Sequence, residues 1–186
     1  MNPLFIAACD LQRFLDEQQW RFCFIGGLAV IRWGEVRLTI DLDITLFCGF
    51  GREEAHARVL LDGGYRFRIA NGLAAGLRNR VLLLLSPNGI PTDVALGGLP
   101  YEDDMVERAS LFEYEPGVVL RTCSAEDLLV MKLFASRAID LRDAETVAIR
   151  NRKTLDWDYV ERNLQPLAEL KEAPEIMTAL TKLRSA

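Results

Sequence analysis

The spacing of hydrophobic residues predicts a mixed first part of the chain and a helical second part. Residues 3–18 place apolar side chains at helical spacing, which predicts an amphipathic helix. Residues 22–25 form a short apolar run that stops at Gly26-Gly27, and residues 28–33 then predict a short helix. The chain is therefore expected to begin with a helix, a strand, a glycine turn and a second helix.

Hydrophobic and polar residues alternate strictly between Arg37 and Phe47. Leucine and isoleucine occupy every second position of this segment. The intervening polar positions include Arg37, Thr39, Asp41 and Asp43. A period of two residues predicts a half-buried strand, and the four polar side chains would share its other face.

The middle of the chain predicts further strands and helices. Two apolar segments, residues 80–85 and 91–96, flank a Ser-Pro-Asn-Gly turn and predict a hairpin. Other predicted elements are a helix over 52–62, a weak strand over 65–69, a short acidic helix over 101–109 and a strand over 117–121.

The pattern becomes helical from Ser124, a good N-cap residue. A second helix is predicted to start at Asp140, followed by helical segments over 157–164 and 166–183. The predicted fold class is α+β, with a mixed β-sheet flanked by helices and a C-terminal helical region. We expect an α+β core over 1–123 and a helical region over 124–186 packed on it, or one domain over 1–186.

Composition narrows the classes of function. The chain has 186 residues, of which half are hydrophobic and 26% are charged, as in ordinary globular proteins. The net charge of -5 argues against a broad basic surface for nucleic acid. The most basic segment, residues 137–153, also carries interleaved acidic residues, which favours a solvated helix face of mixed charge.

The N-terminus and the four scattered cysteines favour a cytoplasmic protein with free thiols. No basic segment followed by an apolar stretch and a cleavage site begins the sequence, and no apolar run is long enough for a membrane helix. The cysteines lack the close pairing of a zinc site. We therefore expect no membrane association.

Three aspartates, Asp41, Asp43 and Asp93, are the candidate metal-binding and catalytic residues. Asp41 and Asp43 are two residues apart, so on a strand both carboxylates project to one side, about 6 to 7 Å apart along the backbone. Asp93 is a single acid in another apolar strand and offers a third carboxylate. Paired divalent ions held by a few carboxylates neutralise a triphosphate and align the attacking and leaving oxygens.

Gly26-Gly27 lies one predicted helix upstream of Asp41. At the junction of a strand and a helix, glycine amides can approach a phosphate closely, and a helix N-terminus favours an anion. The glycine pair is weak evidence alone. Its position relative to the two aspartates makes the combination much more specific.

These features resemble the nucleotidyltransferase superfamily that shares the DNA polymerase beta fold, with its glycine pair, short helix, Asp-x-Asp strand and later third Asp. More narrowly, the chain resembles AbiEii/AbiGii toxin-type nucleotidyltransferases over residues 22–150. That resemblance is carried by Phe24-Ile25-Gly26-Gly27-Leu28-Ala29, Arg37-x-Thr39-x-Asp41-x-Asp43, and Lys132 followed by Asp140-x-x-Asp143.

The resemblance implies transfer of an NMP from an NTP to a hydroxyl acceptor, tRNA in a toxin-antitoxin pair, with release of pyrophosphate. It implies a nucleotidyltransferase-like mixed β-sheet. It also implies binding of a metal ion, Mg²⁺ or Mn²⁺, by Asp41, Asp43 and Asp93, which would be the catalytic acids. It further implies phosphate contacts near Gly26 and Gly27. The nucleotide contacts that it implies come from Lys132, Asp140 and Asp143. Because Arg37 and Thr39 share the predicted strand face of the two aspartates, we also expect them to bind phosphate or hydroxyl groups. A cognate antitoxin would be the partner, and the sequence leaves the oligomeric state open.

Structural explanations remain open for the same residues. Asp41 and Asp43 can blunt an exposed edge strand, Gly26-Gly27 can be a plain turn, and Asp93 can be an exposed acid. Lys132 can be a snorkelling side chain at the edge of a buried helix. Asp140 can cap a helix whose first turn contains Asp143. Arg37 can pair with a carboxylate rather than with a phosphate.

Three other functions also remain open. They are a non-catalytic protein that binds nucleotide or a partner, a nucleotidyltransferase acting on a small aminoglycoside-like molecule, and one acting on a protein.

Overall fold

The computed structural model describes residues 2–185, and within them the chain divides into two compact units. Unit 1 comprises Met1–Leu28 and Leu38–Cys123, and unit 2 comprises Ala29–Arg37 and Ser124–Ala186. The chain thus crosses between the units three times. The predicted division at residue 123 is one of these crossings, and the structure additionally groups residues 29–37 with the helical part.

Unit 1 is built on a mixed seven-stranded sheet in the order β3-β4-β5-β2-β1-β7-β6. Its strands are β1 (Arg21–Phe24), β2 (Leu42–Phe47), β3 (Arg66–Phe67), β4 (Val81–Leu85), β5 (Pro91–Gly97), β6 (Ser110–Glu115) and β7 (Val118–Thr122). The pairs β2·β5 and β1·β7 are parallel, and the other neighbours are antiparallel. The predicted hairpin is the β4·β5 pair.

Helices cover the sheet of unit 1 because their apolar sides and the strands bury each other. They are α1 (Pro3–Glu17), α3 (Glu53–Asp62), α4 (Gly72–Asn79) and α5 (Pro100–Arg108). Helix α1 packs on β1 and β7, α5 on β1 and β2, and α4 on β4. The largest fully buried side chains include Phe22, Phe24, Ile44, Leu82 and Leu96, which place the core along the central strands.

Unit 2 is helical and centres on α6 (Ala125–Ala135). Its other helices are α7 (Ala138–Asn151), α8 (Trp157–Leu170) and α9 (Glu175–Ser185), and all three pack on α6. Ser124 caps α6 by accepting a hydrogen bond from the Asp127 N–H, as its sequence predicts. Helix α2 (Gly26–Trp33) begins in unit 1 and ends in unit 2.

The α+β fold class is confirmed, but the strand predicted over 37–47 begins only at Leu42. Leu38 and Ile40 are 85% and 69% exposed. Strand β5 starts at Pro91, which has no N–H to donate, so the ladder beside β2 ends with the pair Leu42 and Thr92. The alternation of hydrophobic and polar residues therefore predicted strand β2, but it did not predict that pairing with β5 begins only at Leu42.

Other differences concern element boundaries. Helix α4 and strand β6 were not predicted, and α8 continues through Pro166 instead of breaking there. Buried side chains before and after the proline, Leu164 and Ala168, hold the helix on both sides of it. Helix α7 begins at Ala138 with Arg137 at the N-cap, so the prediction that Asp140 caps it is wrong. In the part of the chain that the structure describes, no helix is long and apolar enough to cross a membrane.

Candidate active site

Asp43 and Asp93 lie side by side on neighbouring parallel strands. In the register of β2 and β5, Asp43 pairs with Asp93. Leu42 and Ile44 on one strand, and Thr92 and Val94 on the other, are fully buried, whereas both aspartates are half-buried. Paired residues of adjacent strands project from the same face, so the apolar neighbours fix both carboxylates on the accessible face of the sheet.

Asp41 joins this pair from the bend just before β2. The Thr39 hydroxyl donates a hydrogen bond of 2.9 Å to Asp41 Oδ1. Burial raises the pKa of Asp93, Arg68 partly opposes that rise, and the negative charge of Asp41 adds to it. The charge of Asp41 therefore acts on Asp93, and we call Asp41, from the bend, together with Asp43 and Asp93, from β2 and β5, the carboxylate cluster.

The glycine pair packs directly against this cluster. An ideal Cβ on Gly26 would lie 2.0 Å from Asp43 Oδ2, and one on Gly27 would lie 2.3 Å from Thr39 Oγ1. Gly26 also has a φ of +55°, a left-handed conformation that disfavours residues with a side chain. The glycines therefore make room for the acid-bearing segment, beyond the needs of a plain turn.

Arg68 is a site residue that sequence reasoning missed. It follows the two-residue strand β3, and its guanidinium donates to Asp93 Oδ1. Its backbone N–H donates to the carbonyl of Leu83, which is the partner of Asp93 in the β4·β5 ladder. The only available signal was the predicted weak strand over 65–69, in which Arg66 and Arg68 alternate.

The other predicted site residues, Arg37, Lys132, Asp140 and Asp143, form an ion-pair network within unit 2. The Lys132 ammonium lies 2.9 Å from Asp140 Oδ1 and 2.8 Å from Asp143 Oδ2. Arg37 binds both oxygens of Asp143 at 3.1 and 3.0 Å. Arg137 donates to Asp140 Oδ2 at 2.5 Å. Two buried carboxylates thus share three cations.

This network corrects two structural expectations. Lys132 does not snorkel, because its side chain is only 9% exposed and its ammonium is bound inside. Arg37, Thr39 and Asp41 all precede β2, so only Asp43 of the four predicted polar positions lies on a strand face. The Arg37 guanidinium pairs with Asp143. Nucleotide contacts by these four residues stay a prediction.

The carboxylate cluster suits Mg²⁺ as a donor set. Mg²⁺ binds proteins through one or two carboxylates and takes its remaining ligands from water and substrate phosphates. Asp41 and Asp43 supply that number, and the absence of a Cβ on Gly26 lets the Asp43 carboxylate lie against the Gly26 backbone. Within residues 2–185, no group of three or more His, Cys, Asp or Glu side chains is arranged to hold a metal ion. A phosphate-bearing substrate would complete the site.

Comparison with known proteins supports the fold. No protein-family model matches the sequence, and no curated protein is significantly similar to it. The solution structure of the antibiotic-resistance factor ANT(2'')-Ia matches with a TM-score of 0.58 and 17% identity, over 92% of this chain and 94% of that one. The crystal structure of ANT(2'')-Ia in complex with adenylyl-2''-tobramycin matches with a TM-score of 0.50 and 14% identity, over 97% of both chains.

An antigenic nucleotidyltransferase-like protein from Paracoccidioides brasiliensis is also similar, with a TM-score of 0.49, 16% identity, and coverage of 96% and 92%. At these identities the likeness concerns the fold. The chain has a nucleotidyltransferase-like fold, and what it does with that fold depends on its own residues.

Proposed function

We propose that this chain transfers an NMP from an NTP to a hydroxyl acceptor, with Asp41 and Asp43 holding Mg²⁺ or Mn²⁺. The observation that carries the proposal is the pairing of Asp43 with Asp93 beside Gly26, whose backbone occupies space that no side chain could share with the Asp43 carboxylate. Carboxylates gathered beside a glycine turn, in a nucleotidyltransferase-like fold, suit a metal-bound triphosphate.

The metal ion, the glycine amides and Asp93 would have different roles in the reaction. A bound metal ion would neutralise triphosphate charge and help align the attacking and leaving oxygens. Amides at Gly26 and Gly27 would lie against a phosphate, and Asp93 would accept the proton of the acceptor hydroxyl. The acceptor oxygen then forms a bond to the α-phosphorus, the bond from that phosphorus to the bridging oxygen breaks, and pyrophosphate leaves with the electron pair.

A small hydroxylated acceptor suits the molecule better than tRNA does. The chain carries a net charge of -5. Two arginines of the most basic segment have partners within the protein, since Arg137 binds Asp140 and Arg150 donates to the carbonyl of Gly34. Phosphate-rich acceptors need a basic surface. The complex of ANT(2'')-Ia with adenylyl-2''-tobramycin makes aminoglycosides the first class to test.

A labelling assay tests the proposal. Purified protein is incubated with Mg²⁺ and each labelled NTP, with an aminoglycoside panel, total tRNA or no acceptor. We expect label on an aminoglycoside and loss of transfer by about a thousandfold in Asp41→Asn/Asp43→Asn, because metal assistance contributes several kcal/mol. Asp104→Asn removes an exposed acid elsewhere in unit 1 and should keep full activity.

The outcomes separate the candidate functions. Label on tRNA would replace the small acceptor with the toxin function that the AbiEii resemblance implies, and the next step would be a search for an antitoxin. Label on the protein alone would indicate a protein acceptor. Absence of both transfer and metal-dependent nucleotide binding in the wild type would overturn the proposal and leave a non-catalytic protein.

A further inference from the structure

Arg68 binds the one carboxylate to which the proposed mechanism gives a proton-accepting role. Its guanidinium contacts Asp93 Oδ1, and the two side chains are 31% and 29% exposed. An arginine on the carboxylate stabilises the charged form of Asp93 and occupies an oxygen that a hydroxyl group would need. The arrangement in this structure therefore holds Asp93 away from its proposed task.

The position of Arg68 allows its side chain to leave Asp93 and bind another anion. Residues 68–71 form a bend and turn after β3, which is a two-residue strand at the edge of the sheet. The backbone is fixed by the hydrogen bond of 2.9 Å from the Arg68 N–H to the Leu83 carbonyl, whereas the contact with Asp93 is made by the long side chain. A partly exposed ion pair contributes little free energy, so a stronger anion can displace the carboxylate.

A triphosphate is such an anion. Guanidinium groups bind phosphate oxygens in a bidentate manner, and phosphate carries more charge than one carboxylate. We propose that Arg68 is a nucleotide-operated latch: it holds Asp93 in the nucleotide-free protein and moves to the triphosphate when an NTP binds, which releases Asp93 for the acceptor hydroxyl. This inference rests on the proposed function of the same site.

The latch makes two predictions of opposite sign for Arg68→Ala. A divalent ion that binds without nucleotide competes with Arg68 for the negative charge of Asp93. Its affinity should therefore rise about two- to fivefold when the arginine is removed, the range that a partly exposed ion pair supports. Affinity for a triphosphate should fall about tenfold, because a charge-assisted hydrogen bond is lost.

The experiment measures binding rather than turnover. Mn²⁺ alone, and tripolyphosphate in the presence of Mg²⁺, are titrated into the wild type, Arg68→Ala, Asp93→Asn and the double variant by calorimetry. Arg66→Ala removes an exposed arginine two residues before Arg68, in β3, and serves as the matched control. Thermal unfolding of every variant verifies that it is folded before its affinities are compared.

A double-mutant cycle decides the result. The gain in Mn²⁺ affinity on removing Arg68 should vanish in the Asp93→Asn background, whereas the loss in tripolyphosphate affinity should remain. A fall or no change in Mn²⁺ affinity in Arg68→Ala would overturn the latch, as would an unchanged tripolyphosphate affinity. If the wild type binds neither probe, the proposed function itself fails. If it binds both and the Arg68 effects have the wrong sign, only the latch fails.

Discussion

Each unit of the molecule brings a pair of aspartates together, but in very different surroundings. In unit 2, Asp140 and Asp143 are 1% and 3% exposed, and each is bound by Lys132 and by an arginine. In unit 1, Asp41 is half-buried, takes a hydrogen bond from a threonine hydroxyl, and carries a charge that acts on Asp93. The first group is neutralised by buried cations, whereas the second brings like charges together and has a partly exposed cation, Arg68, on Asp93.

From this difference we infer a structural role for Asp140 and Asp143 and a catalytic role for the aspartates of unit 1. Buried carboxylates with matched cations fix helix α6 against α7, and a substrate would have to displace three partners to reach them. Accessible carboxylates that repel one another favour the arrival of an external cation. Spacing in the sequence made both groups candidates, and their electrostatic surroundings separate them.

The largest expected effect is on the stability of unit 2. Lys132→Met removes the cation shared by Asp140 and Asp143 and leaves buried charge partly uncompensated. The free energy of unfolding should fall by about 3 to 5 kcal/mol, the usual cost of breaking a buried ion pair. Urea denaturation measures it, with the exposed Lys153→Met as control. A loss below about 1 kcal/mol would mean that the network is not structural.

The same substitution in both units should give different results. Asp140→Asn weakens charge-assisted hydrogen bonds from Lys132 and Arg137, so unfolding should become easier by about 2 to 3 kcal/mol. Asp41→Asn retains an acceptor for Thr39 and removes repulsion of Asp93, so stability should change by under about 0.5 kcal/mol, while the proposed metal-dependent transfer should be lost. Equal destabilisation by the two substitutions would contradict the distinction drawn between the units.

Gly26→Ala tests how tightly the glycine pair packs on the acids. Gly26 and Gly117 both have positive φ, but an added Cβ meets Asp43 only at Gly26, and nothing lies within 4 Å at Gly117. Each substitution should cost about 1 kcal/mol for the backbone conformation. Gly26→Ala should cost about 1 kcal/mol more, because the Asp43 side chain must move. Thermal unfolding of both variants measures the difference, and equal costs would show that Gly26 serves only as a turn.

The sequence predicted the features that depend on local pattern. The period of two residues located β2, the Asn-Gly turn located the β4·β5 hairpin, and the junction of Gly26-Gly27 with a helix located the turn beside the acids. These features need only neighbouring residues and general stereochemistry. The prediction failed at the start of β2, because pairing there depends on Pro91 in another strand.

Local sequence pattern did not predict the ion pairs between residues that are far apart in the chain. Arg37 alternates with Thr39 and Asp41, yet it binds Asp143, 106 residues away. Arg68 reaches Asp93 only because β3, β4 and β5 lie next to one another in the sheet. Long side chains can select between several carboxylates, and a single sequence does not encode that choice locally.

The smallest expected effect is an opposite pH dependence of the two units in metal-free protein. Burial alone would raise the pKa of Asp140, but hydrogen bonds and charges from Arg137 and Lys132 outweigh it and hold the pKa below the ordinary value of 3.8. The stability that this group contributes is complete above pH 3.8 and is lost as the pH falls through the lower, folded-state pKa. Burial raises the pKa of Asp93 above 3.8, so its ionisation opposes folding, and acidification towards 3.8 relieves that cost.

Comparison with neutral variants isolates each contribution in urea titrations with EDTA present. The stability of the wild type relative to Asp93→Asn should rise as the pH falls to 3.8, and its stability relative to Asp140→Asn should fall below that pH. Parallel curves would mean that both aspartates are stabilised by their partners in the same way. Curves of opposite slope would show that ionised Asp93 lowers the free energy of unfolding, whereas ionised Asp140 raises it.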